Sequence, residues 1–185
     1  SPKTTLVCLE NTTNKGGGAF YDFNEILSIR ELCDTHQLSL HLDGARLWNA
    51  LEETHENPED YGKVFDTLSL CLSKGLGCPV GSLLLGSKEH INNAIRIRKV
   101  FGGGMRQAGY LAAAGSYAIQ HHRKELNEDH RKAKEIEAVL LTCDYVDKVE
   151  PVSTNIIIFS LNSPNSEMDF ISKMKQKGID LIALG

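Results

Sequence analysis

Lys74 is the residue whose surroundings packing explains least. It follows Thr67-Leu-Ser-Leu-Cys-Leu-Ser73, where polar and apolar residues alternate, and it precedes Gly75, Gly77, Pro79 and Gly81. The alternation suits a short strand, and the glycines and proline stop it from continuing, so the spacing predicts Lys74 at the mouth of a strand. A lysine that only solvates a surface needs no such neighbours. One that attacks a carbonyl needs open backbone around it and a desolvating wall beside it. Schiff-base chemistry is therefore one reading of Lys74, and an ordinary surface lysine ahead of a glycine-rich turn is the other.

A Schiff-base lysine that serves pyridoxal phosphate needs an acid, because the cofactor's pyridine nitrogen must stay protonated to draw electrons. Asp43 is the candidate. It ends the alternating run Leu38-Ser-Leu-His-Leu-Asp43 and is followed by Gly44, Ala45 and Arg46. That places it at the carboxyl end of a predicted strand, the edge where open α/β sheets bind ligands. An Asp there also suits a turn, or the cap of a helix from Ala45 to Leu51. A third cluster, Gly102-Gly-Gly-Met-Arg106, pairs backbone that an anion can approach closely with an arginine able to clamp phosphate. A helix-start arginine has the same appearance.

Three segments together are more specific than any one. His41-Leu-Asp-Gly-Ala-Arg46, Ser73-Lys-Gly-Leu-Gly-Cys-Pro-Val-Gly-Ser82 and Gly102-Gly-Gly-Met-Arg-Gln-Ala-Gly109 resemble, in order and spacing, the low-specificity L-threonine aldolases. These belong to the aromatic amino acid β-eliminating lyase/threonine aldolase family, within the aspartate-aminotransferase-like class of pyridoxal-phosphate enzymes. The resemblance runs from about Leu9 to about Gly115 and continues more weakly to the end. It implies that Lys74 carries the cofactor, that Asp43 faces the pyridine nitrogen, and that Arg46 lies beside the ring or the substrate carboxylate. It implies further that Arg106 reaches the cofactor phosphate across a subunit interface. The implied reaction is retro-aldol cleavage of L-threonine or L-allo-threonine to glycine and an aldehyde, by a cytoplasmic homotetramer or dimer serving threonine breakdown and glycine formation. In that family the first loop reads Glu-Asn-Thr-His-Asn, its histidine near the substrate hydroxyl; here Thr13 takes that place. The family's phosphate-gripping loops and ring-stacking residue precede the position of Ser1, and its carboxylate-binding arginine follows Gly185. Two other readings stay open: another lyase or transferase with the same cofactor, or a non-catalytic remnant of the fold.

The elements that must position these residues are readable from periodicity. With 185 residues, 41% hydrophobic and 24% charged, and a net charge of −4, the composition is that of a soluble globular chain with a sizeable core. Its acidity argues against a nucleic-acid footprint, and its apolar runs are too short for a membrane span. The five cysteines, Cys8, Cys33, Cys71, Cys78 and Cys143, show no metal spacing and read as free thiols in a reducing cytoplasm. Thr5–Leu9 reads as a buried strand, Phe23–His36 as an amphipathic helix and Leu38–Asp43 as the next strand: a βαβ unit with a parallel pair. His41 would share a face with Asp43, where it could serve a ligand or simply be hydrogen-bonded.

Glu52 to Asp60 reads as an acidic loop. Thr67–Ser73 and Ser82–Gly86 read as an antiparallel hairpin with Lys74 at its exposed bend, and Lys88–Phe101 as a helix. Gln107 to about Val139 reads as one long helical region whose composition changes near His121. The adjacent pair His121 and His122 points to different sides of a helix, which argues against a metal site. The expected fold class is α/β: the latter part of a large cofactor-binding domain over 1–121, then the start of a small α+β domain over 122–185. That last part is read β-β-α-β, over Asp147–Val152, Thr154–Leu161, Met168–Lys177 and Ile179–Leu184. The apolar segments at both ends suggest a piece of a longer chain.

Overall fold

The structure is a computed structural model, and it describes residues 2–162 and 166–184. Its first half is a βαβ series. Strand β1 (Leu6–Glu10), helix α1 (Phe23–Thr35) and strand β2 (Ser39–Gly44) are followed by helices α2 (Leu47–Thr54) and α3 (Pro58–Val64) and strand β3 (Thr67–Cys71). Both connections return the chain parallel, pairing Leu42 with Leu9 on one side and with Leu68 on the other. Strand β4 (Ser82–Gly86) turns back antiparallel on β3, as its tight glycine-rich connection predicts, giving the order β1-β2-β3-β4.

The period-2 pattern decides which way the sheet faces. Leu40, Leu42, Leu68 and Leu70 point to the side covered by α1, α2 and α3, where they pack with Ile26, Leu51 and Tyr61. Each such side chain contributes roughly 1.5–3 kcal/mol by leaving water. Alternate residues Cys8, His41, Asp43, Thr67, Ser69 and Cys71 share the opposite face, where Cys8 and Asp43 are exposed and the others half-buried. Strand β1 is less buried than its apolar run suggests, with Leu6 48% exposed, because it lies at the edge of the described sheet.

Capping explains one departure from the sequence reading. The Glu52–Asp60 stretch contains the end of α2 and the start of α3 as well as a short connection. Asn57 accepts a hydrogen bond from the Glu59 amide at 3.1 Å, and Pro58 fills the first helical turn, where its missing N–H costs nothing. Burial of Tyr61 between Phe23 and Phe65 then fixes α3 on the core.

After β4, helix α4 (Lys88–Val100) follows as expected, capped by Ser87. The long helical region is broken instead of continuous. Helix α5 (Gly109–His121) ends at His122, a 3-10 turn spans Arg123–Glu125, and α6 (Leu126–Leu140) begins anew. The break lets α6 lie against α2, where His130 is buried between Asn49 and Glu53. The remainder forms a two-stranded antiparallel pair, β5 (Val146–Val149) and β6 (Phe159–Leu161), then α7 (Glu167–Gln176). Residues Ile179–Leu184 form no strand, because an apolar run needs a neighbour's free amides and carbonyls to pair with, and none of the described strands supplies them.

An ion pair fastens the crossover at the amino end of the sheet. Asp66 accepts from the Leu40 amide at 2.7 Å and from Arg30 of α1 at 3.0 Å. Burial alone would push this carboxyl up, but the amide and the guanidinium outweigh it and hold it below its ordinary value. A lowered carboxyl adds stability above its unfolded value of 3.8, and that stability is lost as the pH falls through the folded value. Asp66→Asn should therefore melt below wild type at neutral pH, with the gap closing on acidification below 3.8. Thermal melts followed by circular dichroism across that range measure it.

Candidate active site

The two parallel ladders bring the carboxyl ends of β2 and β3 side by side, and the sequence-predicted Asp43 and Lys74 leave the sheet there, with Arg46 following. Asp43 pairs in register with Ser69. Its Oδ1 accepts from the Ala45 amide at 3.1 Å and from the Ser69 hydroxyl at 3.3 Å, which fixes the carboxylate on the open face while leaving it exposed. The next residue must be glycine: a Cβ on Gly44 would lie 2.7 Å from the Ser69 carbonyl oxygen. The bond from the Ala45 amide, two residues on, is the one an Asp makes when it starts a turn, and the exposed carboxylate keeps room for a further partner.

Lys74 leaves β3 on the same edge. The turn after it is closed by the Gly77 amide donating to the Lys74 carbonyl at 2.8 Å, and the Leu72 and Cys78 backbones complete the loop. Leu76 and Cys78 are buried with Leu72, Ala118 and Leu126, while Lys74 stays exposed. Its ammonium makes no ion pair among the described residues. Gly77, at φ +72°, adopts the left-handed conformation that glycine takes without strain. Arg46 is half-buried at the start of α2.

Electrostatics tie these groups to a residue that the sequence reading passed over. Burial pushes the Cys71 thiol up, yet hydrogen bonds from Ser73 and the positive charges of Lys74 and Arg46 outweigh it and hold the thiol below its ordinary value. Lys74 and Arg46 thus both act on one sulfur, on the face that carries Asp43 and Ser69. The available signal was the run of small polar residues Thr67, Ser69, Cys71 and Ser73 on alternate positions of one strand.

Other predicted residues fall differently. His41 is hydrogen-bonded to the Thr67 hydroxyl through Nδ1 at 2.7 Å, a partner within the sheet. The first loop does lie at the ligand edge, with the Asn11 amide donating to the Asp43 carbonyl at 2.9 Å. Thr13, however, turns into its own loop and donates to the Ala19 carbonyl at 3.2 Å. The same loop is held from the far end of the chain, where buried Thr154 donates its hydroxyl to the Gly18 carbonyl at 2.8 Å. Arg106 is exposed after Gly102 and Gly104, both of positive φ, and makes no ion pair among the described residues. No described contact joins it to Asp43 or Lys74.

The fit to pyridoxal phosphate can be tested on these residues. An oriented, exposed carboxylate and an unpaired lysine leave adjacent strands at one edge, with a guanidinium half-buried beside them and no carboxylate neutralising the amine. This donor set suits an aldehyde-bearing cationic ring, and its phosphate would need holders outside these residues. The perturbed thiol offers a direct check: Cys71 should be alkylated by iodoacetamide about tenfold faster than buried Cys33 or Cys78 near pH 8, read by peptide mass spectrometry.

Comparison with known proteins places the chain in a family. Residues 1–163 match the family described as β-eliminating lyase. Over 173 residues the chain is 36% identical to low-specificity L-threonine aldolase 1 of Arabidopsis thaliana, covering 94% of this chain and 47% of that one. Over 131 residues it is 44% identical to the low-specificity L-threonine aldolase of Escherichia coli O157:H7, covering 71% and 38%. The chain thus spans less than half the length of these relatives. Among solved structures, a threonine aldolase of Leishmania major superposes with a TM-score of 0.74 at 24% identity, over 93% of this chain and 49% of that one. A histidinol-phosphate aminotransferase of Clostridium acetobutylicum superposes with 0.65 at 14% identity, over 95% and 53%. The fold is shared across these enzymes.

Proposed function

Because the chain belongs to the β-eliminating lyase family, matched over residues 1–163, we propose that the protein it comes from is a pyridoxal-phosphate-dependent aldolase. Its substrates are L-threonine, L-allo-threonine and related β-hydroxy-α-amino acids, which it cleaves to glycine and an aldehyde. The observation that carries this reading is the delivery of Asp43 and Lys74 to one edge of two adjacent parallel strands. The names of the relatives from Arabidopsis and Escherichia coli support the choice of substrate.

The bound cofactor would supply the electron sink that breaking a Cα–Cβ bond requires. Lys74 would offer the amine that holds the cofactor's aldehyde, and among the described residues no carboxylate pairs with that amine. Asp43, oriented by the Ala45 amide and the Ser69 hydroxyl, would hold the ring nitrogen of the bound cofactor in its protonated form. Arg46 adds fixed positive charge beside the ring or the substrate carboxylate. The β-hydroxyl proton is taken by a group other than Thr13, because a neutral hydroxyl already donating to Ala19 is no base.

Assembly and location belong to the same reading. Arg106, exposed and without an ion pair among the described residues, serves the phosphate of a neighbouring subunit in this reading, so the active sites would be shared in a homotetramer or dimer. Residues 1–121 belong to the large cofactor-binding domain and 122–185 to the start of the small one. The free state of all five cysteines fits a reducing cytoplasm, where the enzyme would serve threonine breakdown and glycine formation.

Full-length protein incubated with pyridoxal phosphate should turn yellow, and borohydride should fix the cofactor on Lys74. Release of glycine and acetaldehyde from L-allo-threonine should follow. Lys74→Ala should lower turnover by about a thousandfold or more, and Asp43→Asn by about a hundredfold. Cofactor binding without either product points to a lyase or transferase of the same fold, and failure to bind cofactor points to a remnant.

A further inference from the structure

The lysine loop has a holder outside the strands that frame it. Resting on the assignment of Lys74 above, we infer that His122 is a positioning residue for the loop that carries this lysine. The ring nitrogen Nδ1 of His122 lies 2.9 Å from the Leu76 carbonyl oxygen, two residues beyond Lys74. A carbonyl only accepts, so Nδ1 carries the hydrogen and donates it. The imidazole also lies over the next residue, since a Cβ on Gly77 would come 3.8 Å from Nδ1.

Three features make this contact more than incidental. First, the held loop contains Gly75, Gly77 and Gly81 and would otherwise be conformationally loose. Its turn hangs on the Gly77-to-Lys74 and Cys78-to-Leu72 backbone bonds, and the His122 bond fixes the Leu76 carbonyl, which shares a peptide unit with the Gly77 amide. Second, His122 sits where α5 ends, its own amide donating to the Ala118 carbonyl at 2.8 Å, so the helix break presents the ring to the loop. Third, the ring is steadied edge-on by Tyr117, with centroids 5.5 Å apart. Leu126 completes the seat from the next helix, lying where a Cβ on Gly75 would fall, at 2.6 Å.

The consequence concerns the direction in which Lys74 leaves the sheet. Its carbonyl is the acceptor that closes the turn, so holding Leu76 and Gly77 fixes the backbone from which the amine projects. Without the donor from His122 the loop keeps its ends but loses its set. The cofactor's aldehyde then meets the amine in fewer productive encounters.

Two variants of the full-length protein test this. His122→Phe keeps a ring beside Tyr117 but removes the donor, and His122→Asn can still donate to the same carbonyl. In cofactor-free protein, His122→Phe should speed hydrogen exchange at the Gly77 and Cys78 amides about tenfold while leaving β2 amides unchanged. It should slow borohydride-trapped attachment of pyridoxal phosphate to Lys74 severalfold, and His122→Asn should recover most of both. Wild-type exchange at Gly77 and Cys78 in His122→Phe overturns the inference. So does faster exchange without slower trapping, or faster exchange that spreads through β2. If wild type takes up no cofactor at all, the assignment of Lys74 fails, while the exchange result still reports on the latch itself.

Discussion

The whole arrangement depends on register between parallel neighbours. Pairing Asp43 with Ser69 sets three things at once: which leucines are buried, which polar residues share the open face, and where β3 ends relative to β2. Because side chains alternate with a period of two, a slip of one residue would bury Asp43 and expose Leu42. The leucine-rich core beneath α1, α2 and α3 therefore specifies the site indirectly. It forbids the slipped register, and the Asp43 carboxylate is left facing outward as a result.

Much of this was legible because the signals were local. Strand alternation around Asp43, glycines after Lys74 and the spacing from Phe23 to His36, observed as a helix over Phe23–Thr35, each read well without knowledge of the rest. The misreadings share a cause as well. Helix α3 was hidden by its acidic composition, although Asn57-Pro58 is a capping signal in its own right. The interruption at His122 and the lack of a strand over Ile179–Leu184 depend on what lies alongside, which periodicity does not carry. Cys71 escaped for a similar reason. Its thiol is set by Ser73, Lys74 and Arg46 together, and only folding brings Arg46 near.

The fold by itself does not choose the reaction. An aminotransferase and an aldolase superpose on this chain with comparable scores, so the sheet and its helices serve more than one chemistry. What narrows the reading is the set of side chains at the carboxyl edge together with relatives of higher sequence identity. The loop at Thr13 adds nothing to that set. Its side chain stabilises its own turn instead of reaching outward, so an individual contact can change while the scaffold around it persists.

The hydrogen bond from Thr154 to the Gly18 carbonyl joins residues 136 apart in sequence. Gly18 has φ +76°, and a Cβ there would come 2.4 Å from the same threonine oxygen. This knot is too tight to stretch: a shift of the later segment by an ångström or two must either break it or drag the first loop along. Since the Asn11 amide in that loop also donates to the Asp43 carbonyl, the segment around Thr154 and the carboxyl end of β2 are anchored to the same loop, and neither can be rebuilt without regard to the other.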